Sequence, residues 1–306
     1  MGYLIGVDVG GTTTKAALVD ADGRIVETRR FPTPRAPRDA GTDRVAEVVG
    51  SVTSVAKELT DRAAGGVEAL GVVVPGLVDD ERGVAVWSEN LRWRDVPLRE
   101  LLAERTGVPV RVGHDVRAGA VAEVRLGAAR RANDAVFLPV GTGIAAALVI
   151  DGRIHSGGGF AGEIGHVSTG RTDPCACGGL GCLETVASAA AIARRYADAS
   201  GRQVAGAAGV LERLEHGDPD AARVWDDAVG LLAWGVTVLV GVLAPEVVVV
   251  GGGLAQAGER LLAPLRSGVE ARLTFQRPPR IVSSEFGDLA GCLGAALLAQ
   301  DDLGRA

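Results

Sequence analysis

The sequence predicts an α/β chain of two similar lobes facing one cleft, and three observations predict it. First, "VDVGGTTTKAALVDADGRI" (residues 7–25) and "LPVGTGIAAALVIDGRI" (138–154) align as strand, Gly/Thr turn, strand, Asp-Gly hairpin and Ile, the mark of an internal duplication. Second, short β-branched runs alternate with stretches of helical periodicity, as packed α/β layers require. Third, 306 residues with an apolar fraction of 47% suffice for one large or two ordinary domains with buried cores.

Element by element, 3–9 and 15–19 read as strands around the turn "GGTTT", with a third strand at "RIVETRRF". Apolar residues at helical spacing (Val45, Val48, Val49, Val52, Val55, Ala56, Leu59) predict a helix over 42–64, capped by Thr42 or Asp43. "ALGVVVPG" is short, β-branched and closed by Pro-Gly, which suits a buried strand. A helix over 97–106, a strand at "VPVRVGHD" and a helical run from Val116 to Glu123 follow. "AVFLPVGTGIAAALVIDGRI" repeats the strand-turn-strand pattern, and "PEVVVVGGGLA" gives a strand and a glycine-rich helix entry. Cys292 lies in the helical run Leu289 to Leu298 and reads as a core residue.

The net charge is −6 and the basic residues form no run, so the electrostatic footprint of a nucleic-acid binder is missing. The amino-terminal residues have neither a basic n-region nor an uninterrupted apolar h-region. The most apolar stretch, Val236 to Val250, is broken by Pro245 and Glu246 and falls short of the ~20 residues that span a bilayer. The expectation is a cytoplasmic protein with no nucleic-acid or membrane partner, in which clustered cysteines bind metal more often than they form disulfides.

Four motifs carry chemistry. "DVGGTTTK", Asp8 to Lys15, offers glycines that let a backbone approach an anion, threonine donors for phosphate oxygens, and a strand-end carboxylate that holds magnesium through water. Its alternative is an ordinary glycine hairpin, against which stands the echo at Gly141, Thr142 and Gly143. "GHDVRAG" puts Asp115 at a strand end, either as a general base for an alcohol or as a helix N-cap. "VVVVGGGLA", with Gly251, Gly252 and Gly253, leaves room for a flat group such as adenine, or is a plain tight turn.

The fourth is "EIGHVSTGRTDPCACGGLGCLE". His166, Cys175, Cys177 and Cys182 form a Cys3His set, the donors of a closed, structural tetrahedral zinc site. The alternative, cysteines as small buried hydrophobes, fits three thiols between 175 and 182 poorly. An ion fixing His166 and Cys182 would also fix Glu163 and Glu184 as acceptors for a polyhydroxylated ligand; otherwise these glutamates are solvated surface.

Taken together, "DVGGTTTK", "GHDV", "VGTGI", "GEIGH", "CACGGLGCLE" and "VVVGGG" resemble, in order and over nearly the whole chain, the ROK family (repressors, open reading frames and kinases), whose kinases resemble bacterial glucokinases. The resemblance implies an actin-like ATPase (ribonuclease H-like) fold, with 1–114 plus 288–306 as a small lobe and 115–287 as a large one. It implies Asp115 as general base and Asn90, His114, Asp115, Glu163, His166 and Glu184 at the sugar. Asp8, Gly10, Gly11, Thr12, Lys15, Thr142 and Gly251 to Gly253 would serve ATP and Mg2+, and His166, Cys175, Cys177 and Cys182 a structural Zn2+. The implied reaction moves the ATP γ-phosphoryl group to the 6-hydroxyl of a hexose, glucose first, in a homodimer or homotetramer.

One departure stands out. Where the family usually reads Asn-Asp-Ala-Asn, this chain reads His114-Asp115-Val116-Arg117. The change leaves room for a modified hexose such as 3-amino-3-deoxyglucose (kanosamine), or a cyclitol. The family's sugar-responsive repressors carry a DNA-binding segment of about 60 to 80 residues ahead of the kinase-like part, and here the phosphate motif starts at residue 8. A zinc-stapled module without catalysis would need neither Asp115 nor paired Gly-Thr turns. Polyphosphate-using relatives lack the cysteine cluster, which favours ATP as donor.

Overall fold

The structure, a computed structural model, describes residues 2–34 and 44–304. The expected caps Thr42 and Asp43 lie outside the described residues. Contacts divide the chain into two compact units, Met1–Leu126 with Gly157–Phe160 and Leu289–Ala306, and Gly127–Ser156 with Ala161–Asp288.

In the first unit β1 (Tyr3–Val9), β2 (Thr13–Val19) and β3 (Ile25–Pro32) form an antiparallel meander. Then come α1 (Arg44–Arg62), β4 (Val67–Val74), a three-stranded sheet of β5 (Leu77–Asp79), β6 (Val84–Ser88) and β7 (Trp93–Val96), α2 (Leu98–Thr106), β8 (Val110–His114) and α3 (Asp115–Arg125). In the second unit β9 (Ala135–Pro139), β10 (Ala147–Ile150) and β11 (Arg153–His155) repeat the meander. Helices α4 (Glu184–Ala187), α5 (Ala189–Ser200), α6 (Gly206–Glu215) and α7 (Pro219–Leu243) precede β12 (Val247–Gly251), α8 (Glu259–Glu270) and β13 (Arg280–Ser283). The last helix, α9 (Ala290–Leu303), returns to the first unit.

The duplication read from the sequence is a duplication of topology. The two five-stranded sheets run β3-β2-β1-β4-β8 and β11-β10-β9-β12-β13, each with an antiparallel meander at one side and two parallel strands at the other. Parallel central strands covered on both faces read as continuous apolar runs, and β4 and β12 are buried along Ala69–Val74 and Val247–Gly251.

Three expectations need correction. Helix α3 belongs to the first unit, so the boundary lies after Leu126 and not at 114, because α3 packs on α9. The glycines after β12 lead first into a 3-10 turn, Gly253–Ala257, and α8 starts only at Glu259. The apolar stretch Val236–Val250 is two elements, parted at Ala244 (φ 48°), and its first part ends a 25-residue helix. Among the described residues α7 alone is long and apolar enough to cross a membrane. Its buried face, including Val224, Trp225, Leu232 and Val236, packs with α5, α6 and α8 as a core helix.

Close approach of α9 to the sheet depends on missing side chains. A Cβ on Gly71 of β4 would sit 1.9 Å from Ala295 O, and one on Gly6 of β1 1.8 Å from Cys292 O. Cys292 is fully buried there, as expected. Gly71→Ala is therefore expected to cost stability at the upper end of about 1–3 kcal/mol, read as a lower Tm in thermal denaturation.

Candidate functional site

In the first unit Asp8 and Lys15 face each other across the β1–β2 register, and the turn between them closes with Gly10 N–H donating to Thr13 O at 3.1 Å. Thr12 is exposed at its tip. A residue the sequence reading missed holds this turn: Thr33, 2% exposed, donates its hydroxyl to Gly10 O at 2.7 Å and lies 2.9 Å from Thr14 Oγ1, while its N–H donates to Thr12 O at 3.0 Å. Its only signal was its place just past a strand paired with the turn. A Cβ on Gly11 would stand 3.2 Å from Asn90 Cβ, so Asn90 is brought to the turn from the loop between β6 and β7. The carboxylate of Asp8 lies beneath the start of α9, where a Cβ on Gly291 would come within 2.8 Å of Oδ2.

Asp115 follows the carboxyl end of β8, two strands from β1 in the sheet. It is the first residue of α3 and not its cap; the cap position is His114, in extended conformation. Val116 N–H is offered to both side chains, to Asp115 Oδ1 at 2.7 Å and His114 Nδ1 at 3.2 Å, and the shorter, charged acceptor takes the larger share. His114 Nδ1 is also 3.3 Å from Asp115 Oδ1. One carboxylate oxygen is thereby committed to the helix start, and Oδ2 takes no hydrogen bond from any described residue. Arg117, another departure from the family pattern, is 7% exposed and turns to both oxygens of Asp80 at 3.2 Å. It ties α3 to the end of β5.

In the second unit the Cys3His set converges. The ligand atoms of His166, Cys175, Cys177 and Cys182 all lie within 4.8 Å of one another. Cys177 and Cys182 Sγ are 3.6 Å apart, and Cys175 Sγ is 3.7 Å from His166 Nδ1. Thiolates about 2.3 Å from zinc at tetrahedral angles stand about 3.8 Å apart, so the donors present fit that ion. The chain folds back by Cys175 N–H to Gly179 O at 2.9 Å and Gly181 N–H to Asp173 O at 2.8 Å, and Arg171 anchors the loop to Asp227 of α7 at 2.6 Å. Burial, with hydrogen bonds to the other two thiols, pushes the Cys182 thiol up to about 12. Burial also raises Cys175, whereas the Gly179 N–H donating to its sulfur lowers Cys177.

The flanking carboxylates differ. Glu163 is half exposed, with Oε2 3.9 Å from His166 Nε2. Glu184 is more enclosed, 23% exposed, with Oε1 3.9 Å from His166 Nδ1 and Oε2 accepting from Ile144 N–H at 3.2 Å. The turns at 141–143 and 251–253 are brought together because β9 and β12 are parallel neighbours. Val140 N–H donates to Gly251 O, and Leu254 N–H returns to Val140 O, both at 3.0 Å. Gly252, at φ 75°, passes so near Val140 that a Cβ would lie 2.5 Å from its carbonyl oxygen.

Comparison with known proteins places this arrangement. The chain is 35% identical to a glucokinase of Thermotoga maritima over 98% of both chains. It is 27% identical to a putative xylose repressor of Caldicellulosiruptor, covering 99% of this chain and 79% of the repressor. The crystal structure of a ROK family glucokinase from Streptomyces griseus, in complex with glucose and AMPPNP, superposes with a TM-score of 0.85 at 30% identity, over 98% of this chain and all of that one. The α/β architecture with its duplicated meanders is thus the actin-like ATPase fold. The ROK family matches over residues 4–302, and with these likenesses spanning both sheets, both glycine turns and the Cys3His loop, the chain belongs to the ROK family.

Proposed function

We propose that this chain is an ATP-dependent sugar kinase, moving the γ-phosphoryl group of ATP to the 6-hydroxyl of a hexose, with glucose as the first substrate. The observation that carries this reading is Asp115: a carboxylate directly after β8, the edge strand of the first unit's sheet, with one oxygen held by Val116 N–H and the other open to receive a proton. Asp115 orients the hydroxyl and takes its proton, and Asn90, His114, Glu163, His166 and Glu184 bind the ring. Gly10, Gly11, Thr12 and Lys15 hold phosphate, as do Thr142 and its neighbours, while Gly251 to Gly253 leave room for adenine. Asp8 would hold magnesium through water, and that ion supplies charge neutralisation on the phosphates. His166, Cys175, Cys177 and Cys182 would hold zinc, which supplies rigidity and no chemistry. Similarity to glucokinase chains supports a cytoplasmic location.

A second reading, a kinase of an amino-hexose or cyclitol, is favoured by His114. With Nδ1 engaged at the start of α3, only Nε2 is left to meet a ring substituent. ADP release with magnesium-ATP tests both readings. Faster turnover of glucose supports the first; a more than tenfold higher kcat/KM for 3-amino-3-deoxyglucose, about 1.4 kcal/mol of discrimination, supports the second. In the second case His114→Asn is expected to move the ranking back toward glucose, and an unchanged ranking would clear His114 of that role. No ADP release with any sugar would leave the repressor-like reading.

A further inference from the structure

Glu184 stands between two parts of the second unit. Its Oε1 faces the ligand cluster, 3.8 Å from Cys175 Sγ and 3.9 Å from His166 Nδ1, while its Oε2 accepts the Ile144 N–H at 3.2 Å. Ile144 directly follows the Gly141–Gly143 turn, itself closed by Gly141 N–H donating to Gly143 O at 2.9 Å. The approach leaves no room for a side chain: a Cβ on Gly143 would sit 2.6 Å from Glu184 Oε2. Five residues on, Ala189 N–H donates to Gly141 O at 2.8 Å. The segment that begins at the ligand Cys182 therefore grips the turn at both of its ends.

We propose that Glu184 couples the Cys3His centre to the Gly141–Ile144 turn, so that an ion at the centre and a nucleotide at the turn strengthen each other's binding. The inference rests on the kinase reading of the turn and the zinc reading of the cluster. An ion that fixes Cys182 and His166 fixes the backbone leading into Glu184 and holds its carboxylate on Ile144 N–H. The turn is then ordered before a nucleotide arrives, and less conformational entropy is lost on binding. Such linkage is reciprocal: whatever the ion does for nucleotide affinity, the nucleotide does for ion affinity.

The test uses the full chain with its metal. ADP affinity is measured by calorimetry before and after chelator stripping, and metal affinity by equilibrium competition with a chromogenic chelator with and without saturating ADP. Stripping is expected to weaken ADP at least about fivefold, and ADP to tighten metal affinity by the same factor. In Glu184→Ala both effects shrink to less than twofold, while Glu184→Gln, which keeps an acceptor for Ile144 N–H, retains them. A wild-type chain that binds metal and ADP, yet shows neither effect, overturns the coupling alone. A chain that binds no ADP overturns the kinase reading, and one that binds no metal overturns the zinc reading; either result removes the coupling with it.

Discussion

Asp115→Asn is expected to lower kcat by about 10²–10⁴, the range that a positioned general base contributes, while leaving the equilibrium affinity for sugar within a few-fold of wild type. The replacement is nearly isosteric, and its amide oxygen still accepts Val116 N–H, so the start of α3 is preserved. What it removes, on the kinase reading, is the ability to accept a proton from the attacking hydroxyl. Phosphoryl transfer passes through a loose transition state in which most catalysis is positioning and charge neutralisation. The residual rate therefore reports what those groups achieve without the base. A coupled ADP assay gives kcat, and calorimetry with glucose gives affinity; near wild-type turnover would remove Asp115 from the mechanism.

Loss of metal, by chelation or by Cys182→Ser, is expected to lower sugar affinity by more than tenfold and to release the loop between His166 and Cys182 without melting the second unit. Structural zinc sites contribute about 10–16 kcal/mol of apparent binding energy in isolated fingers, but on the zinc reading only part of this loop would depend on the ion. Arg171 remains anchored to Asp227, and the core around Val136, Trp225 and Val248 lies on other elements. Hydrogen exchange should thus rise in peptides covering 172–181 and stay low in α7. Because the Cys182 thiol holds its proton up to about 12 without an ion, metal uptake must displace that proton. Retention should weaken steadily as pH falls, checked by metal content after dialysis from pH 8 to 5. Zinc-free protein from a fresh, chelator-free purification would count against the site.

Much of this was legible because glycine and cysteine leave sparse, local signals. The turns at Gly10–Gly11 and Gly141–Gly143 and the Cys175–Cys182 spacing are decided within a few residues, and so is the apolar periodicity of α1. What escaped is decided at a distance or by a single dihedral. Whether His114 or Asp115 caps α3 depends on which of them keeps extended backbone. The bond from Ile144 to Glu184 joins residues 40 apart in sequence, and Thr33 matters only because β3 pairs with β2. The short strands β5, β6 and β7 carry too few residues for an alternation to stand out. The boundary after Leu126 reflects helix packing of α3 on α9, which no local pattern encodes.

That packing has a consequence for how the protein is made. The first unit's sheet leaves the ribosome early, but the helix that fits against Gly6 and Gly71 is α9, translated after the whole second unit. At roughly 5–20 residues per second, the strands β1 and β4 wait on the order of ten seconds with an apolar face uncovered. The second unit, continuous apart from one short excursion at Gly157–Phe160, can close on itself first. A released chain ending before residue 290 would therefore have every element of the second unit and lack the helix that completes the first.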